Sequence, residues 1–89
     1  MGLVTQKRIT ITTVAQDIYD AIPSPCSIVV KNVGVVTVYL GDDAMTAADG
    51  FELAPGDILE DKRESGEELF ALTASGTADL SILYDTRTV

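Results

Sequence analysis

Alternation is the dominant pattern along this chain. In residues 6–14, Ile9 and Ile11 alternate with Arg8, Thr10 and Thr12, the period of two that marks a strand with one buried face. Near the other end, Leu80, Ile82 and Tyr84 share one face of an extended segment, and Asp79, Ser81 and Asp85 share the other. Leu83 interrupts the polar face, so part of that face is expected to be covered as well. Between these segments lie short runs rich in Val, Ile, Thr and Leu: SIVVKN (27–32), VVTVYL (35–40), FEL (51–53), ILED (58–61), ELFALTA (68–74) and TADLSILY (77–84). No run carries the helical period over a useful length. The expected fold class is all-β: one antiparallel β-sandwich, jelly-roll-like or Greek-key, of about seven or eight short strands.

The punctuation between the runs sets the expected connections. Pro23 and Pro25 remove two backbone donors and push their predecessors to extended geometry, so 15–26 reads as an irregular crossing or an edge segment. Asn32-Val33-Gly34 reads as a turn, which predicts that 27–32 and 35–40 pair antiparallel. Gly41-Asp42-Asp43 closes the third strand, and 45–49 is a loop with room for a short helical turn. Ala54-Pro55-Gly56-Asp57 has the residues of a β-turn. Residues 62–67 form a charged loop. Ser75-Gly76 is expected to close a hairpin between 68–74 and 77–84. The whole of 1–89 is then one domain, with an N-terminal arm of about residues 1–14, a tail at 86–89, no linker and no internal repeat.

Charge divides this domain. The chain has 89 residues and a net charge of −8, and residues 41–68 hold ten acids against two bases, Lys62 and Arg63. The remainder is balanced. Such a distribution disfavours nucleic acid, whose affinity rests on Lys and Arg contacts to phosphate, and disfavours anionic membrane surfaces. The apolar runs are too short to span a bilayer. The start, Met1-Gly2-Leu3-Val4-Thr5-Gln6, has neither the long apolar run of a signal peptide nor the Ser or Thr of a myristoylation site, so no targeting segment is expected. One cysteine, Cys26, allows no disulfide within the chain and fits a reducing compartment. A core this small gains stability by docking on something larger or on copies of itself.

Candidate chemistry is sparse. Histidine is absent, which removes the commonest general base near neutral pH and leaves Cys26 without the partner a thiol nucleophile needs. Paired carboxylates of the glycosidase kind would need a cleft that this chain is too short to build. No enzymatic activity is expected. Asp42, Asp43, Asp49, Glu52 and Asp57 offer hard oxygen ligands, but their spacing is not that of a calcium loop. Adjacent Asp42 and Asp43 point to opposite sides of an extended chain, and Asp49-Gly50 is what a tight turn requires. These residues therefore read as turns, and neither a metal nor a cofactor is expected. The five aromatics fall mostly at positions expected to be buried, with Tyr19 the best exception, which argues against a carbohydrate-binding platform. The arm, with Leu3, Val4, Lys7, Arg8, Ile9 and Ile11, is the candidate interface, able to add a strand to a neighbour. Asp42, Asp43, Asp49, Glu52, Asp57, Glu64 and Glu67 are the candidate solvent-facing acidic loops.

One resemblance follows from the order of these features. A strand ending in VYLG leads to a loop with Asp43 and Thr46, then Asp49-Gly50, a short strand reaching Leu53, Pro55-Gly56, another strand, and finally ELFALTASGTADLSILY. Over roughly 27–84 this resembles the small structural proteins of tailed-phage virions, in particular head decoration (cement) proteins. The segment Ile22-Pro23-Ser24-Pro25-Cys26 lies outside the resemblance. The family implies a β-sandwich, commonly trimeric, on the capsid surface of the virion, made in the host cytoplasm during assembly. Its partners would be the major capsid protein and copies of itself, with no catalysis and no cofactor. The alternative within the same build is a head–tail connector, tail or fibre-base module.

Overall fold

Eight strands account for the regular structure of the described residues: β1 (Val4–Ile11), β2 (Gln16–Asp17), β3 (Cys26–Asn32), β4 (Val38–Gly41), β5 (Phe51–Leu53), β6 (Ile58–Arg63), β7 (Phe70–Thr73) and β8 (Ala78–Asp85). The structure, a computed structural model, describes residues 4–20, 22–23 and 25–85. The strands form two four-stranded antiparallel sheets, in the orders β1-β8-β3-β6 and β2-β7-β4-β5. β1 pairs with β8, β2 with β7, β3 with β6 and β4 with β5. The first half of the chain is thus paired against the second half and wound into two layers, the jelly-roll strand order. The sandwich expected from alternation is present.

Only β4 and β5 are joined within one sheet; every other connection crosses between layers. This overturns two expected pairings. Strand β3 pairs with β6 and β8, whereas β4, reached after the Asn32-Val33-Gly34 turn, pairs with β5 and β7 in the other sheet. Likewise β7 and β8 are not a hairpin: Ser75-Gly76 carries the chain from one layer to the other. There the Thr73 hydroxyl donates to the Gly76 carbonyl at 2.6 Å. A tight turn and a layer crossing use the same residues, so the local sequence does not separate them. The segment after β1 behaves as expected of a crossing: β2 is a two-residue edge strand. Residues 45–49 form turns without helix, with the Asp49 and Gly50 N–H groups both donating to the Thr46 carbonyl.

The inward faces meet in an aliphatic core. Ile11, Ile28, Val30, Leu80 and Ile82 from the first sheet face Val38, Leu40, Leu53 and Ala71 from the second, all nearly excluded from solvent. Ile18, Ile22 and Cys26 close one end. The burial of alternate residues on β3 and β8 is what the sequence period demands. β6 is the edge strand of the first sheet beside β3. Its Leu59 and Asp61 share the lining of a depression with Leu40, Gly41, Phe51 and Leu69, and Asp61 accepts a hydrogen bond from the Tyr19 hydroxyl just beyond β2.

Two local devices hold the corners. In Ala54-Pro55-Gly56-Asp57 the Asp57 N–H donates to the Ala54 carbonyl at 2.9 Å, and Gly56 has φ +88°, which glycine adopts without steric cost. At the crossing after β3, Gly34 lies against the central strand. A Cβ there would come within 2.6 Å of the Ala78 Cβ and 2.8 Å of its Cα. Asn32, fully buried, ties this corner together through its side chain to Gly34, Val36 and Leu53.

Candidate functional site

The first sheet has the longer strands, so its outer face is the broader of the two sheets' outer faces among the described residues. Register and alternation place four rows on it: Val4, Asp85, Ser27 and Lys62; Gln6, Leu83, Val29 and Glu60; Arg8, Ser81, Lys31 and Ile58; then Thr10 and Asp79. Val4, Leu83 and Ile58 are 53%, 46% and 59% exposed, so an aliphatic strip runs over a solvent-facing sheet. Val4, Ser27, Val29, Leu83, Tyr84 and Asp85 line a depression of about 260 Å³ on this side. Three bases (Arg8, Lys31, Lys62) balance three acids (Glu60, Asp79, Asp85) on the face. The chain's other eleven carboxylates lie off it, with only Lys7 and Arg63 to offset them among the described bases. The interruption at Leu83 and the place of Val4 in the candidate arm were the sequence signals of this strip. Val29 and Ile58 carried none, because which face a strand buries depends on its partners.

The candidate interface arm is largely built into the fold. Val4–Ile11 is an integral edge strand, not a free extension. Ile11 is fully buried in the core, which takes its side chain out of the candidate contact set on this surface, while Ile9 is half-buried and packs against the core. Val4, Lys7 and Arg8 stay exposed, while Leu3 and the tail 86–89 fall outside the described residues.

All seven candidate acidic-loop residues are exposed on the isolated chain, and four of them cap their own turns. Asp42 accepts from the Ala44 N–H at 3.0 Å, Asp49 from the Thr46 N–H at 2.7 Å, Asp57 from the Ala54 N–H at 3.0 Å and Glu67 from the Glu64 N–H at 2.7 Å. The Thr46 N–H and hydroxyl hold the Asp49 carboxyl below its ordinary pKa, so these bonds are lost only when the pH falls through that lowered value. Asp43, Glu52 and Glu64 are exposed beside the same turns. No group of three or more acidic or cysteine side chains among the described residues is placed to hold a metal ion.

A second depression of about 260 Å³ lies between residues of β4, β5 and β6. It is lined by Leu40, Gly41, Phe51, Leu59, Asp61 and Leu69. Phe51 lies opposite buried Leu40 in the register yet is 62% exposed. The expected ranking of the aromatics is thus reversed, because Tyr19 is only 2% exposed. The Tyr19 ring lies under the Arg63 guanidinium, 5.4 Å from its centre, and its hydroxyl donates to Asp61 at 2.8 Å. Burial first, then the bond to Asp61, pushes the tyrosine pKa well above its ordinary value. The hydroxyl stays protonated, a tie between layers rather than a base.

Cys26 opens β3 on the core side. Burial pushes its thiol pKa up, Arg63 works against this, and Asp85 adds to it. A thiol that is both buried and protonated reacts poorly. At pH 8 a disulfide reagent is expected to label Cys26 at least ~100-fold more slowly than free cysteine, with full reactivity in denaturing urea. Fast labelling of the folded protein would show that this end of the sandwich opens readily.

No protein-family model matches this chain, and neither does any curated protein.

Proposed function

We propose that this protein decorates and stabilises the capsid of a tailed phage: a cement protein that docks on the outer surface of the head, as a homo-oligomer of the trimeric kind, and clamps adjacent major capsid subunits. The observation that carries the reading is the uneven outer surface. One broad sheet face bears exposed Val4, Leu83 and Ile58 with its charges balanced, and the acidic loops lie off that face. A face with aliphatic side chains and no net charge suits contact with another protein. Acidic loops off that face suit exposure to solvent and keep decorated particles apart. The jelly-roll strand order supports the reading more weakly, since it serves viral capsid domains but also lectins and cupins. Binding the expanded shell better than its precursor stabilises it by mass action, with no chemistry required.

Two measurements on purified particles test this. Quantitative mass spectrometry is expected to find on the order of hundreds of copies per particle, as a decorated lattice requires. On the order of a dozen or fewer would place the protein in the connector, tail or fibre base instead. Particles lacking the protein are expected to lose their DNA at lower temperature than complete ones, and equal heat resistance would refute the clamp.

A further inference from the structure

The two edges of the first sheet are complementary to each other. β1 is eight residues long and β6 is six, and each pairs on one side only among the described residues. Neither holds a proline. Both are longer than the second sheet's edges, of two and three residues. Exposed edges of this length invite another strand unless something blocks them. β1 carries Lys7 and Arg8 at its middle, and β6 carries Glu60 and Asp61 at its middle.

We propose that β1 of one copy pairs antiparallel with β6 of a second copy, continuing the sheet from subunit to subunit. β1 and β6 already run in opposite directions within the sheet, because three antiparallel pairings separate them. A second copy placed alongside in the same orientation therefore meets the first as an antiparallel neighbour. One register matches the side chains on both faces. It sets Arg8 against Glu60 and Thr10 against Ile58 on the outer face, and Lys7 against Asp61 and Ile9 against Leu59 on the inner face. Faces are preserved, since Lys7 and Ile9 share the inward row with Ile11, and Leu59 and Asp61 oppose inward Val30 and Ile28. Sliding β6 by two residues one way puts Lys7 against Arg63 and Arg8 against Lys62. Sliding it the other way separates every charge pair. Cross-strand pairs of opposite charge favour a register, and like charges oppose one.

The same charges decide the symmetry. A two-fold contact between β1 and its own copy sets Lys7 or Arg8 against itself, which disfavours the isologous dimer. The contact between unlike edges is head-to-tail, and it closes into a ring if the rotation per subunit allows. The neighbour's Lys7 and Ile9 would then sit at the lip of the depression lined by Leu59 and Asp61. The outer sheet face stays uncovered. This contact concerns the chain in solution and is independent of any role in a virion.

Sedimentation velocity from about 5 µM to about 500 µM protein tests it, in the range where a modest interface associates. The wild-type chain is expected to associate, less so when salt rises from about 0.05 M to about 0.5 M. Lys7→Glu/Arg8→Glu and Glu60→Lys/Asp61→Lys are each expected to weaken association roughly 30-fold or more. The chain with all four substitutions is expected to recover it. A wild type that stays monomeric, or four substitutions that restore nothing while circular dichroism stays native, would overturn the proposal. A cross-link needs no charge change. Thr10→Cys/Ile58→Cys should oxidise to multiples of 9.4 kDa on non-reducing gels, while the out-of-register Gln6→Cys/Ile58→Cys should not. Within one chain the two positions lie three strands and one row apart, about 16 Å, too far for a disulfide. Equal cross-linking of both pairs would count against this register.

Discussion

Replacing Asn32 with leucine is expected to lower the unfolding free energy by about 3–4 kcal/mol, a large share of what so small a domain has. The side chain is fully buried and makes three hydrogen bonds. Nδ2 donates to the Leu53 carbonyl at 2.8 Å and to the Val36 carbonyl at 2.9 Å, and Oδ1 accepts from the Gly34 N–H at 2.9 Å. Its backbone is engaged too: its N–H donates to the Asp57 carbonyl, and its carbonyl accepts from the Gly56 N–H at 2.7 Å. One residue thus joins the end of β3, the crossing to β4, the end of β5 and the turn into β6. Leucine keeps the γ-branched shape, is somewhat larger, and removes all three side-chain bonds. It leaves the buried Leu53 carbonyl without a partner, and with it the half-buried Val36 carbonyl and Gly34 amide, at about 1–3 kcal/mol for a fully buried group and less for the other two. The urea midpoint should fall by about 2–3 M and the melting temperature by roughly 15–25 °C. Asn32→Asp keeps the Gly34 bond but places a charge in the same closed site, and should cost at least as much. A loss under about 1 kcal/mol for Asn32→Leu would mean that the corner re-satisfies itself.

Ile82→Ala is expected to cost about 3 kcal/mol, within the usual range for emptying a buried aliphatic site. Ile82 is fully buried on β8, flanked in register by Lys7 of β1 and Val30 of β3. Strands on both sides hold the backbone in place, so the cavity cannot collapse cheaply. The neighbouring position supplies the control. Leu83 points to the outer face and is 46% exposed, so Leu83→Ala should change the isolated chain's stability by about 0.5 kcal/mol or less. If the outer face is a docking surface, Leu83→Ala should weaken attachment to particles while the chain itself melts normally. A large stability loss for Leu83→Ala would instead show that this face is part of the chain's own packing.

The acidic stretch shows how far local reading reaches. Asp49-Gly50 and Pro55-Gly56 were legible as turns, and the turns are there, with Asp49 and Asp57 bonded to backbone amides three residues away. That legibility is physical: a short carboxylate and a glycine favour the same few backbone geometries wherever they occur. Asn32 was legible only as a turn residue. Its real role, a buried hub, depends on Val36 and Leu53 arriving beside it. The exposure of Phe51 was hidden for a related reason. Alternation assigns it correctly to the inward row, but it lines an open depression between β5 and β6 instead of being covered.

By itself, the sequence determined the all-β class, the alternating faces, the turn positions and the confinement of the net negative charge to residues 41–68. Each of these follows from steric preference or composition within a few residues. The tertiary structure decided which strands pair, that β3–β4 and β7–β8 are crossings rather than hairpins, and which strand edges and outward rows remain open. Those outcomes depend on winding one half of the chain against the other. In this fold β1 meets β8 across nearly the whole length of the chain, and no local pattern encodes a partner that distant.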